Sequence, residues 1–174
     1  MAQEDKVFLN LAGEFAVASE LNRRRVLASV TYGASKSADV FAMNRDMTKI
    51  VRIEVKTTDK RKWPIGEKAT RVTPQSSDVF WVLVQLPAPL DAPAQDESHR
   101  GAHSPRYFVL SAQEIYEVWR KEADEYGKGY FSRHGHKFQG LGVPNVSLDG
   151  VVAFESRWEK IIERLGGPAA ESEG

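Results

Sequence analysis

Apolar and polar positions change their period along the chain, and each change marks an element. From residue 5 to 25 the apolar side chains Phe8, Leu11, Phe15, Ala18 and Leu21 recur at helical spacing. Arg23, Arg24 and Arg25 follow, where cations favour a helix C-terminus. VLASVTY (26–32) and DVFAMN (39–44) read as strands separated by the loop GASKSA. KIVRIEVKT (49–57) alternates strictly and predicts a third strand, joined to the second by the turn RDMT. The polar segment 58–77 is broken by Pro64, Gly66 and Pro74, which predicts a loop with one short helix. DVFWVLVQL (78–86) is a nearly continuous apolar run, the pattern of a strand buried on both faces. RYFVL (106–110) gives a fifth strand. Ser111 and Glu114 form a capping box that opens a helix to Tyr126. Residues 127–150 read as Gly-rich and irregular, and FESRWEKIIERL (154–165) as a last amphipathic helix stopped by GGP. Trp119 and Trp158 fall on apolar stripes and are expected in the core.

This order predicts an α/β sandwich with a central mixed five-stranded sheet flanked by helices. A chain of 174 residues suits one domain, here 1–166, with a mobile loop at 87–105 and a disordered tail at 167–174. No run of ~18 apolar residues is present and the N-terminus is acidic, so neither a membrane helix nor a signal peptide is expected. The absence of cysteine excludes disulfides and thiolate zinc sites. Together these favour a cytoplasmic protein.

The third strand poses a chemical question. Ile53 and Val55 face one side, while Arg52, Glu54 and Lys56 face the other. With Arg45 to Thr48 as the turn, Asn44 lies opposite Lys49, and the same register sets Asp39 opposite Glu54. Two carboxylates then stand as cross-strand neighbours, roughly 4.5–5.5 Å apart at Cβ. Folding does not ask for that repulsion. A divalent cation resolves it, since Mg²⁺ takes carboxylate oxygens and keeps waters and substrate phosphate as its other ligands. Lys56 on the same face can steady a developing phosphate charge. The competing reading is a solvated strand face laced with ion pairs.

Asp39, a spacer of 14 residues and then Glu54-Val55-Lys56 resemble the motif of the PD-(D/E)xK, restriction-endonuclease-like nuclease superfamily. There the Asp begins the second strand and the Glu-x-Lys lies in the third. A helix ahead of the first strand often adds a Glu, and Glu14 matches that position. The resemblance covers the pattern of elements over residues 8–110, with Ala38 where the name-giving Pro would stand. It implies a restriction-endonuclease-like fold and a DNA endonuclease, with RNA as the other possible substrate, working with Mg²⁺ or Mn²⁺. By the same resemblance Asp39, Glu54 and the Val55 carbonyl ligate the metal, Lys56 positions the attacking water, and Glu14 binds through water or supports the ligands. Gln75 is a further neighbour candidate. A homodimer or a protein partner is expected of so small a nuclease. The alternative within the same fold is a catalytically inactive module that binds nucleic acid or a protein.

Charge adds a little. The chain is neutral overall, but residues 1–75 carry 14 basic and 9 acidic side chains and residues 76–174 carry 10 and 15. A basic half suits a polyanion, as it suits any unevenly solvated surface. In KRKWPIGEK, Lys60, Arg61, Lys62 and Lys68 are candidate phosphate contacts, with Trp63 stacking on a base or wedging a junction; the competing reading packs Trp63 on the sheet edge and leaves the cations solvated. His134 and His136 have metal-like spacing but lack a third ligand nearby, while His99 and His103 sit in the expected loop. No phosphate-binding Gly-rich loop is present.

Overall fold

The computed structural model describes residues 3–31, 38–73, 77–87, 104–137 and 142–167. Most of the loop expected at 87–105, nearly all of the tail expected at 167–174, Gln75, His99 and His103 lie outside the described residues.

Among the described residues seven strands and four α-helices follow one another as α1 (Gln3–Arg23), β1 (Leu27–Val30), β2 (Val40–Met43), β3 (Ile50–Thr58), β4 (Lys62–Pro64), β5 (Val79–Gln85), β6 (Arg106–Ser111), α2 (Ala112–His134), β7 (Asn145–Ser147), α3 (Leu148–Val151) and α4 (Glu159–Arg164). Short 3-10 turns lie at Glu67–Thr70 and Val152–Phe154. Five strands form one sheet in the order β1-β2-β3-β5-β6. β3 and β5 run parallel, and the other pairs are antiparallel. The mixed five-stranded sheet is therefore as expected. The sequence did not reveal the separate ribbon in which β4 pairs antiparallel with β7, Trp63 opposite Val146.

Period-2 alternation splits the core between two faces of the sheet. On one face Val40, Ala42, Val51, Ile53, Val55, Val82, Val84 and Val109 meet Val17, Ala18 and Leu21 of α1, with Trp158 and Ile161 from the C-terminal segment. On the other, Trp81, Leu83, Phe108 and Leu110 meet Ile115 of α2, Trp63, Ala69 and Val146. That second face is buried and apolar on β5 and β6. On β3 it carries Arg52, Glu54 and Lys56, whose partners across the parallel pair are Val79, Trp81 and Leu83.

Several boundaries differ from expectation. α2 continues through Gly127 and Gly129 to His134, where Gly135 closes it in the left-handed region with its N–H on the Phe131 carbonyl. Its N-terminal capping box at Ser111 and Glu114 is formed as read. The last helix covers only Glu159–Arg164, because a 3-10 turn and a kink at Ser156 (φ 55°) precede it. In α1 the buried stripe is Gly13, Val17, Ala18 and Leu21, while Phe8 and Phe15 stay exposed. The helix is turned this way because glycine lets it approach β3: a Cβ at Gly13 would lie 1.9 Å from Thr57 Oγ1. That approach also sets the flank bearing Glu14 beside the end of the sheet.

Gly13→Ala is expected to lower the melting temperature, at a cost of about 1–3 kcal/mol from overpacking, although alanine alone favours a helix. Adding Thr57→Ala, which removes the hydroxyl and the methyl but keeps the Thr57 Cβ 2.9 Å from the new Cβ, should recover part of the loss. Thermal unfolding of the single and double variants checks this.

Candidate active site

β2 ends before β3 does. The ladder pairs Val40 with Ile53, and the Asp39 N–H still donates to the Ile53 carbonyl at 3.0 Å. The register is the one read from the turn. Beyond this point, among the described residues, no strand pairs with β3 on the β2 side. The next N–H on that edge belongs to Val55, and the Asp39 side chain takes it: Oδ2 accepts the Val55 N–H at 2.7 Å. Strand geometry aims the N–H and C=O of one residue to the same side. The Val55 carbonyl therefore opens into the same gap.

A cationic group sits in that gap. Lys56 Nζ donates to the Val55 carbonyl at 3.1 Å and lies 3.8 Å from Asp39 Oδ2 and 3.9 Å from Glu54 Oε2. The three oxygens expected to hold a metal thus surround one ammonium. Its other neighbour is the face of Trp81, 5.7 Å away at the centroid. The remaining oxygen of Glu54, Oε1, accepts from Lys68 Nζ at 2.8 Å. Glu54 is buried, at 6% exposure, whereas the Lys68 side chain is more than half exposed. Two lysines therefore balance two carboxylates, and one of the lysines can leave for solvent.

Glu14 completes the electrostatic group from α1. It is half-buried. Burial raises its pKa above the ordinary carboxylate value, and the Asp39 carboxylate adds to the rise while Lys56 opposes it. A group that holds its proton more firmly when folded adds stability at low pH and loses it as pH rises through the folded pKa.

The donor set fits a hard divalent cation. Two carboxylates and a backbone carbonyl converge, the rest of the shell is left to water or substrate, and an ammonium already occupies the focus. Among the described residues no group of three or more His, Asp, Glu or Cys side chains is arranged to hold a metal ion. A metal at this site would rest on the Asp39 and Glu54 carboxylates and the Val55 carbonyl. His134 and His136 lie at the exposed end of α2 and form no such group.

The loop candidates separate. Trp63 cannot stack on a base: it is fully buried, its indole N–H donates to the Val84 carbonyl at 2.9 Å, and its ring meets Phe108 edge-on at 5.4 Å. Its strand, β4, pairs with β7 and so presses the ring onto the sheet. Arg61 is paired with Asp149 at 2.9 Å, while Lys60 and Lys62 are exposed. Lys68, expected on a phosphate, is on Glu54 instead. Nothing in its local sequence, a turn of Glu67 to Thr70, announces that partner.

No protein-family model matches the chain, and no curated protein matches it. No helix among the described residues is long and apolar enough to cross a membrane.

Two outcomes follow. Glu14→Gln should raise the melting temperature near neutral pH in metal-free buffer, and the gain should vanish below pH 4.5, the ordinary value. A pH series of thermal melts checks both. Trp63→Ala should destabilise by about 3–5 kcal/mol and leave the affinity of the folded fraction for nucleic acid unchanged, as read by urea unfolding and by binding.

Proposed function

We propose that the protein is a metal-dependent phosphodiesterase of the PD-(D/E)xK type, acting on DNA. The observation that carries this reading is the convergence of Asp39 Oδ2, Glu54 Oε2 and the Val55 carbonyl on the Lys56 ammonium. Supporting it are Asp39 at the mouth of the second strand, Glu54 and Lys56 in the third, helices on both faces of a mixed sheet, and Glu14 on the preceding helix. This is the arrangement the resemblance calls for.

When bound, Mg²⁺ or Mn²⁺ supplies Lewis-acid polarisation of a phosphoryl oxygen and lowers the pKa of a water. The chain's own residues do the rest. Asp39 and Glu54 present fixed negative charge, and their rigidity comes from the Val55 N–H and from burial. Lys56 is held within reach of both carboxylates and of the Val55 carbonyl. From this position its ammonium would steady the charge that develops on a scissile phosphate. Lys68 neutralises Glu54 in the free protein. With a metal held by Asp39, Glu54 and the Val55 carbonyl, Lys68 would be the partner that yields Glu54, since its side chain is more than half exposed. A homodimer would let two such sites address two strands.

One observation favours the inactive module as a second reading. The Lys68–Glu54 pair at 2.8 Å leaves the site electrostatically satisfied without any metal. Binding and cleavage together separate the two readings. With Mg²⁺ or Mn²⁺ the wild type should cut plasmid, branched DNA or RNA. Glu54→Ala or EDTA should abolish cutting, and Lys56→Ala should slow it by about 10²–10³-fold. Calorimetric titration of Lys68→Ala should show tighter Mn²⁺ binding than wild type, because a competing cation is gone. Tighter binding without cleavage of any substrate would select the inactive module. No metal binding in either protein would return Glu54 and Lys56 to a solvated strand face.

A further inference from the structure

Past Glu122, helix α2 leaves the body of the protein. Glu122 anchors it: the carboxylate accepts the Ser147 N–H at 3.0 Å and the Ser147 hydroxyl at 2.7 Å, tying α2 to β7. No residue from 123 to 134 is buried, and the helix runs on to His134. At 1.5 Å per residue this arm extends ~18 Å beyond its anchor.

The arm's chemistry is unlike that of the rest of α2. From residue 126 to 137 there is no acidic side chain, while Lys128, Arg133 and Lys137 supply positive charge. Flat rings climb one face at helical spacing. Tyr126 lies 6.3 Å from Tyr130, Tyr130 lies 4.3 Å from His134, and His136 stands edge-on to Tyr130 at 5.5 Å. Tyr126 and Phe131 are each 53% exposed. Two glycines interrupt the helix, and a Cβ at Gly127 or Gly129 would meet nothing within 4 Å. No neighbour in the fold calls for glycine there, although glycine is a poor helix former. What the two positions do provide is a thin helix surface, on which another backbone can lie close between the rings and the cations.

We infer that this arm, from Tyr126 to Lys137, binds single-stranded nucleic acid, its rings stacking on unpaired bases and its cations tracking the phosphates. Rings, cations and missing acids together are what an unstacked strand uses. A duplex offers the rings no base face. The choice of ligand class rests on the phosphodiesterase reading. The first half of α2 packs on the β5 and β6 part of the sheet face whose β3 part carries Glu54 and Lys56, in one cluster with Ala69 beside Lys68.

The test uses binding, not cleavage. Fluorescence anisotropy of the full chain with a labelled oligo-dT of about 20 nucleotides, and with a duplex of the same length, is measured in EDTA. Wild type should prefer the single strand. Lys128→Ala/Arg133→Ala/Lys137→Ala should weaken it at least ~10-fold at low salt and flatten the salt dependence by about two in log–log slope. Tyr130→Ala should weaken it by roughly 5- to 100-fold. Both variants should melt with wild type, since the arm supports no core. Binding that ignores the arm variants but falls with Lys68→Ala would overturn the inference and leave the phosphodiesterase reading standing. A duplex preference with Tyr130→Ala silent would overturn it as well. So would a wild type that binds no oligonucleotide but loses self-association in these variants, which would make the arm a protein interface. The cleavage experiment decides the other reading separately.

Discussion

A single backbone N–H organises the site. β3 is longer than β2, so one edge of β3 loses its ladder partner at Val55. A backbone donor there needs an acceptor. Asp39, the residue just ahead of β2, supplies it with a side chain instead of a main chain. That substitution fixes the carboxylate against the sheet and turns the Val55 carbonyl into an unpaired strand edge. An acidic pocket follows from the mismatch in strand length. Lys56 enters because the pocket needs a cation, and its position on β3 puts one within reach.

The sheet face around that pocket explains how a buried carboxylate is tolerated. On β5 and β6 the face is apolar and covered by α2 and the β4–β7 ribbon. On β3 it is charged, and the 3-10 turn at Glu67–Thr70 stands at the junction, burying Ala69 while extending Lys68 to Glu54. A buried carboxylate without a partner would be costly. With one fixed and one exchangeable ammonium it is stable and still convertible. Glu14, pushed towards the neutral form by burial and by Asp39, adds a carboxyl whose charge depends on what else occupies the pocket.

Much of this could be read from residues alone. The four-residue turn between β2 and β3 set the register, and the register placed Asp39 at the level of Glu54. Period 2 put Lys56 on the Glu54 face. Those are local inferences, each across fewer than 20 residues. What escaped was long-range or small. β4 and β7 have three residues each and pair across about half of the chain, so neither shows a pattern, and Trp63 among cations could be read as a stacking aromatic or as a side chain on the sheet edge. The face of α1 was misread because the strongest apolar residues, Phe8 and Phe15, point outward while the small stripe from Gly13 packs inward. α2 ran past its predicted end because two glycines suggested a loop. The link from Lys68 to Glu54 depends on α2 packing with Ala69, a long-range contact, and so was hidden too.

The ribbon also orders events in time. β4 leaves the ribosome early, but its partner β7 lies beyond α2, and pairing waits until residues 145–147 exist. Until then Trp63 has no cover on that side, and the turn carrying Lys68 is held by α2, through Ile115 against Ala69, without the ribbon. β2 and β3 need no such delay, because their hairpin closes a four-residue turn. The level of Asp39 against Glu54 is thus set by a local hairpin, while the cover over Trp63 waits for the far end of the chain.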